Sequence, residues 1–186
     1  MPTLEHVYAS NTSSLDALST ASRSEGWVPT MVVFGGTSGI GQAVARRFVE
    51  GLGGRVKLVV VGRRRARGER LFGILPEGPR RVYVDLDDEE SPAEVSREDG
   101  QGCSYTFLAC DISLPSVLNR ACAWLRERYK RVNFLMLTAG PAFSVGERKV
   151  NEEGVEERLG TWVYWRFAVL GGLMCVSSSL LSVCES

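Results

Sequence analysis

Histidine is almost absent from this chain: His6 is the single one in 186 residues, and no two of the five cysteines (Cys103, Cys110, Cys122, Cys175 and Cys184) are spaced as Cys-x-x-Cys. That scarcity excludes the usual nitrogen-and-sulfur zinc sites, so no metal is expected. An odd cysteine count with no paired spacing also argues against a disulfide framework. Reduced thiols in a cytoplasmic compartment are the simpler expectation. Net charge is missing too, with 22 Lys+Arg against 22 Asp+Glu, which removes the electrostatic argument for a nucleic-acid partner. The first residues contain no apolar h-region, so a secretory signal is not expected there. Glu5, Asp16 and Glu25 stand against Arg23 alone, a poor fit to a transit peptide. No internal repeat is present.

Long apolar runs are also rare. The one that approaches membrane length is Phe167–Cys184, eighteen residues without a charge. Its two glycines and four serines oppose a membrane span. A tail anchor is one reading. A buried helix end followed by a buried strand is the other.

What the chain does have is glycine in one telling place. "TMVVF" at 30–34 is a short β-branched run, as a fully buried parallel strand should be. It stops at Gly35, and Gly35, Gly39 and Gly41 follow with the spacing GxxxGxG. Ile40, Val44, Ala45, Phe48 and Val49 then recur at helical spacing until "GLGG" at 51–54. "KLVVV" at 57–61 is a second buried strand. A strand–helix–strand unit of this length favours a right-handed crossover and a parallel sheet. In that context Gly35 allows the tight turn, Gly39 lets backbone approach a pyrophosphate, and Gly41 lets the helix pack closely. The free N–H groups of the helix start would face the phosphates. A glycine-rich structural turn is the plainer alternative.

Further along, residues 1–29 read as a polar leader with a short helix at 13–21. Residues 74–102, with Asp85, Asp87, Asp88, Glu89 and Glu90, read as an acidic, solvated, mobile insertion rather than a cation site. Tyr105–Cys110 is a third strand ending at Asp111. Leu118, Ala121, Cys122, Leu125 and Tyr129 mark a helix opened by Ser113, Pro115 or Ser116. "NFLML" at 133–137 is a fourth strand, and a helix over 152–169 places Val155, Leu159, Trp162 and Val163 on one side. Alternating strands and helices define an α/β fold: a Rossmann-like, doubly wound parallel sheet over residues 30–170, with an irregular or apolar tail at 171–186.

The end of the second strand bears on which dinucleotide fits. An acid there grips the ribose 2′-hydroxyl of NAD, whereas a base accepts the 2′-phosphate of NADP. This chain offers Arg63, Arg64 and Arg65 with no acid nearby. Arg63 is the chosen phosphate partner, since a guanidinium fork matches phosphate oxygens. A solvated basic helix start is the alternative.

These residues resemble the short-chain dehydrogenase/reductase family. "GGTSGIG" is similar to its cofactor loop, which carries over Gly35, Thr37, Ser38, Gly39, Ile40 and Gly41. "CDIS" resembles the Asp–Val/Ile pair whose aspartate contacts adenine, giving Asp111 and Ile112. "LTAG" resembles the Asn-Asn-Ala-Gly segment beside the adenosine ribose, giving Thr138, Ala139 and Gly140. A fungal branch shares an "ASN" leader and a "YYSR"-like helix, here "ASN" at 9–11 and "VYWR" at 163–166. The resemblance runs over about residues 7–167. It implies hydride transfer between NADP(H), preferred over NAD(H), and a carbonyl or alcohol.

The family's chemistry uses a tyrosine with a lysine four residues on, and a serine that polarises the substrate oxygen. Four residues after Tyr8, Tyr83, Tyr105, Tyr129 and Tyr164 stand Thr12, Asp87, Ala109, Asn133 and Ala168. Trp162 takes the place of the family's helix asparagine. "GGLMCVSSSL" resembles the fifth strand, with Ser178 or Ser177 as the catalytic serine. The expectation is a C-terminally truncated member, weak or inactive, with exposed apolar surface that promotes homo-oligomers. A non-catalytic dinucleotide-binding module and a tail-anchored protein are its rivals.

Overall fold

β-Branched and aromatic runs form strands where helices cover both faces of a sheet, and three runs in this chain do so. In the computed structural model the described residues are 3–86, 102–140 and 149–177, the last four as backbone alone. Strands β1 (Thr30–Phe34), β2 (Lys57–Gly62) and β4 (Ser104–Ala109) are buried almost throughout. Strands β3 (Arg80–Asp85) and β5 (Phe134–Leu137) lie outside them. The order is β3-β4-β2-β1-β5, with every pairing parallel. Val32 stands level with Val59 on one side and Leu135 on the other.

Alternation along the strands splits the interior in two. Val32, Phe34, Val59 and Val61 face α4 (Pro115–Arg128) and α6 (Trp165–Ser177), where Leu118, Leu125, Trp165 and Val169 complete one core. Met31, Val33, Leu58 and Val60 face α2 (Gly39–Gly51) and α3 (Arg65–Gly73), where Phe48, Val49, Leu71 and Phe72 complete the other. Close approach of α6 to α4 depends on Gly172, where an added Cβ would lie 3.0 Å from Cys122 Cβ.

Four expectations need correction. The leader is more ordered than a helix at 13–21: α1 runs Leu4–Ser24, with Thr3 accepting from the His6 N–H at 3.2 Å. It is fastened to α2 and the turn beyond it, as Arg47 donates to the Tyr8 hydroxyl and Arg55 to Ser22 Oγ at 2.9 Å. The expected insertion at 74–102 contains β3, whose alternate residues Val82 and Val84 are buried. The acidic residues 87–90 lie outside the described residues.

The expected helix at 152–169 is interrupted. A short α5 (Glu157–Leu159) leads into a π-helical turn at Gly160–Tyr164 and then into α6. Leu159, Trp162 and Val163 are exposed, and the wider turn sets the following helix back in phase so that Trp165, Val169 and Leu173 are buried. The Thr161 carbonyl accepts the Trp165 indole N–H at 2.7 Å, which secures the wide turn. Finally, residues 171–177 continue α6 rather than forming an irregular tail or a fifth strand. Among the described residues, no helix is long and apolar enough to cross a membrane.

Candidate functional site

The sheet reverses its direction of growth at β1: β2, β3 and β4 are added on one side, with β4 slotted between β2 and β3, and the chain then returns to place β5 on the other side. Ligands of open α/β sheets bind in the crevice beyond the strand ends at such a reversal. Here the carboxyl ends of β1, β2, β4 and β5 surround a cleft of about 910 Å³.

The glycines build its floor. Gly35 has φ +88°, and a Cβ there would stand 2.5 Å from the Ala139 nitrogen. Gly39 has φ +57° with open space around it. Gly41 has no room for a side chain, because a Cβ would come within 2.4 Å of Thr138 Oγ1 and 2.5 Å of the Gly35 carbonyl oxygen. The close packing expected at Gly41 is therefore against the turn itself and the end of β5. Ser38 caps α2 in extended conformation, and its hydroxyl makes no capping bond to the helix. The first-turn N–H groups of a helix have no partner within it, and they carry the positive end of its dipole.

Thr138 ties this turn to β5. Its N–H and that of Ala139 both donate to the Phe34 carbonyl at 2.9 Å, and Thr138 Oγ1 donates to the same oxygen at 3.1 Å. Arg166 reaches across from α6 to the Ala139 carbonyl at 3.2 Å. The third wall begins at Asp111. One carboxylate oxygen accepts from the Ser113 N–H at 2.9 Å and its Oγ at 2.8 Å. The other faces Arg63 Nη1 at 3.9 Å. Glu153 holds the opposite loop in place by accepting from the Ser116 N–H at 3.0 Å, at the start of α4.

All twelve residues singled out from the sequence for the cofactor line this one cleft: Gly35, Thr37, Ser38, Gly39, Ile40, Gly41, Arg63, Asp111, Ile112, Thr138, Ala139 and Gly140. Arg64, Arg67, Lys149, Glu156 and Thr161 line it as well and were not foreseen. The basic run 63–67 carried a signal for Arg64 and Arg67; the loop residues carried none, since a distant segment brings them in. Ser178 lies outside the described residues, and Ser177 ends α6 as helix rather than strand. None of the residues lining the described cleft is a tyrosine. Among the described residues no cluster of His, Cys, Asp or Glu is arranged to hold a metal.

A parallel sheet reversing at a glycine turn, with helices on both faces, defines a Rossmann-type domain. The chain belongs to the short-chain dehydrogenase/reductase family: a family model described as the KR domain matches residues 29–159. Oxidoreductase andH of Emericella variicolor is 29% identical over 140 residues, covering 75% of this chain and 34% of the relative. Oxidoreductase AN1596 of Emericella nidulans is 26% identical over 145 residues, covering 78% of this chain and 37% of the relative. The chain thus spans little more than a third of the curated relatives it matches.

Solved structures agree in fold. The bulky-bulky ketone specific alcohol dehydrogenase from Comamonas testosteroni superposes with TM-score 0.57 at 19% identity, over 82% of this chain and 51% of that one. The Pseudomonas aeruginosa RhlG/NADP active-site complex superposes with TM-score 0.52 at 17% identity, over 80% and 47%.

Proposed function

We propose that this chain is a nicotinamide-dinucleotide-binding oxidoreductase module that prefers NADP(H), acting on a small carbonyl or alcohol. The observation that carries the reading is the floor of the cleft. Gly41 admits no side chain, while Gly39 presents backbone alone in an open left-handed turn at a helix start. That combination suits a diphosphate, which needs close backbone approach and N–H donors.

In this reading Gly35–Gly41 hold the diphosphate, Thr138–Gly140 border the adenosine ribose, and Asp111 and Ile112 border the adenine. Arg63 meets the 2′-phosphate, releasing Asp111 to do so. An ion pair at 3.9 Å whose arginine is 72% exposed is weak enough to yield. When bound, the cofactor supplies the hydride acceptor or donor. Thr138 and Arg166 act on the chain itself, keeping the end of β5 against the turn so that the floor holds its shape.

A second reading, a binding module without turnover, is favoured by one specific observation: no tyrosine in the chain has a lysine four residues after it. Without a positioned proton donor, turnover falls by about 10²–10⁴. Titration of purified protein with NADPH and NADH, followed by nucleotide fluorescence, tests the first statement, and absence of saturation at millimolar levels rejects it. Turnover on a carbonyl panel then separates the oxidoreductase from the silent binder.

A further inference from the structure

On one side of β5 the sheet simply stops. The strand pairs with β1, and among the described residues no strand pairs with its other side. Such an edge offers N–H and C=O groups that have no ladder partner, and proteins guard it with lysine, proline or a covering element. Residues 133–140, "NFLMLTAG", hold no charge and no proline. Phe134 stacks on Phe48 with ring centroids 4.6 Å apart and is still 39% exposed.

Helix α6 extends this bare margin on one face of the sheet. Arg166 reaches the Ala139 carbonyl just past β5, so its side of the helix lies along that strand. Leu170 is one turn beyond Arg166 on the same side, with Phe167 and Val163 flanking. Val163, Phe167 and Leu170 are 45%, 70% and 44% exposed. The other side of α6 meets α4, where Gly172 faces Cys122. Arg166 is the one charged residue in 159–177. Its guanidinium donates to the Trp162 and Ala139 carbonyls and lies 4.8 Å over the Trp165 ring. The margin is therefore apolar, and its single cation is turned inward.

We propose that a second copy of this chain covers the margin, the two β5 strands pairing antiparallel across a twofold axis so that both sheets become one. A strand edge is its own complement under such an axis, because each N–H meets a C=O when the copy is turned end for end. The same axis sets Phe167 and Leu170 of one copy against the same residues of the other, and no like charges meet. Phe134, Val163, Phe167 and Leu170 leave about 350 Å² of side chain uncovered, and the strand edge adds roughly 250 Å². The pair then buries about 1,200 Å², the lower limit of a specific interface, which fits association in the micromolar range. The contact needs no nucleotide, and it gives a place to the homo-oligomer expected from the sequence.

Light scattering behind size exclusion, on the full chain loaded from about 1 to about 100 µM, reads the mass. The expected result is a passage from monomer to dimer and no further, since a twofold contact closes on itself. Phe167→Glu and Phe134→Lys each raise the dissociation constant at least about tenfold. Leu4→Glu, at an exposed apolar position on α1, leaves it unchanged. Hydrogen exchange at the amides of residues 134–137 slows with rising concentration in the wild type and not in Phe167→Glu. A monomer at every concentration overturns the proposal, as does growth beyond a dimer. A dimer that tolerates both substitutions, or that leaves exchange at 134–137 unchanged, overturns it too. Phe167 is exposed enough to accept glutamate without loss of fold, and circular dichroism of each variant checks this.

Discussion

Replacing Gly41 with alanine puts the whole account of the cleft floor to one test. The added Cβ meets Thr138 Oγ1 at 2.4 Å and the Gly35 carbonyl oxygen at 2.5 Å. The hydroxyl can rotate away, but the carbonyl cannot: Gly35 already sits at φ +88° with Ala139 pressed against it. Relief therefore has to come from moving α2 off the turn. Overpacking of this kind costs about 1–3 kcal/mol, and alanine's better helix propensity returns up to about 1 kcal/mol. Two contacts this short put the cost at the upper end of that range, so the net loss is about 2 kcal/mol, which at this chain length lowers Tm by about 4–8 °C. Moving the helix start also spoils the donor geometry for a diphosphate, so NADPH affinity falls at least tenfold, since it loses charge-assisted bonds. Thermal melts and nucleotide titration on the same samples read both effects. The double variant Gly41→Ala/Thr138→Ala recovers part of the stability and not all of it, because the Gly35 oxygen remains. Gly39→Ala serves as contrast, meeting no neighbour within 4 Å and costing about 1 kcal/mol through its φ of +57° alone. A Gly41→Ala protein that melts with the wild type and binds NADPH as tightly would refute the reasoning.

Other perturbations have equally definite outcomes. Trp165→Ala removes a fully buried ring lying 5.6 Å from Phe34, together with the indole bond to Thr161; a loss of about 3–5 kcal/mol in urea unfolding is expected. Arg63→Ala weakens NADPH more than NADH, and equal effects would remove Arg63 from the phosphate site. Burial pushes the Cys122 thiol up to about 11 from an ordinary 9.0. The folded state therefore favours the protonated thiol. This contribution to stability is intact below pH 9.0 and is lost as the pH climbs towards about 11. Alkylation with iodoacetamide at pH 8 labels Cys122 far more slowly than the half-exposed Cys103, and urea abolishes the difference.

Burial decided what could be read from the sequence. "TMVVF", "KLVVV" and "YTFLAC" are recognisable because strands covered on both faces need unbroken apolar runs, and the glycines stand out because backbone packs on backbone there. Strand β3 is harder: "RRVYVD" buries only alternate residues, and its prolines and acids nearby suggest a loop. The polar helix α1 lacks a strong apolar stripe. Its hydroxyls are accommodated by bonding back one turn, such as Thr12 to the Tyr8 carbonyl and Thr20 to the Asp16 carbonyl, and contacts from α2 such as Arg47 to the Tyr8 hydroxyl hold it in place. Beyond Gly160 the apolar pattern reads in the wrong phase, since a π-helical turn depends on the Trp165–Thr161 bond and not on periodicity. In the site, the glycines and Asp111 were recognisable by type and spacing. Lys149 and Glu156 arrive from a segment whose place depends on Asn151 and Glu153 meeting the start of α4, a long-range encounter that local pattern does not encode.

Because β3 runs alongside β4 in the same direction, the chain leaves one at the far rim and must re-enter the other at the near rim. Six-residue strands are about 20 Å long, so the connection has a minimum tether of about six extended residues. A parallel crossover must also clear the face of the sheet, so a working connection takes about a dozen residues. Cutting below that length would strip the outermost strand from the sheet and leave β4 as a bare margin.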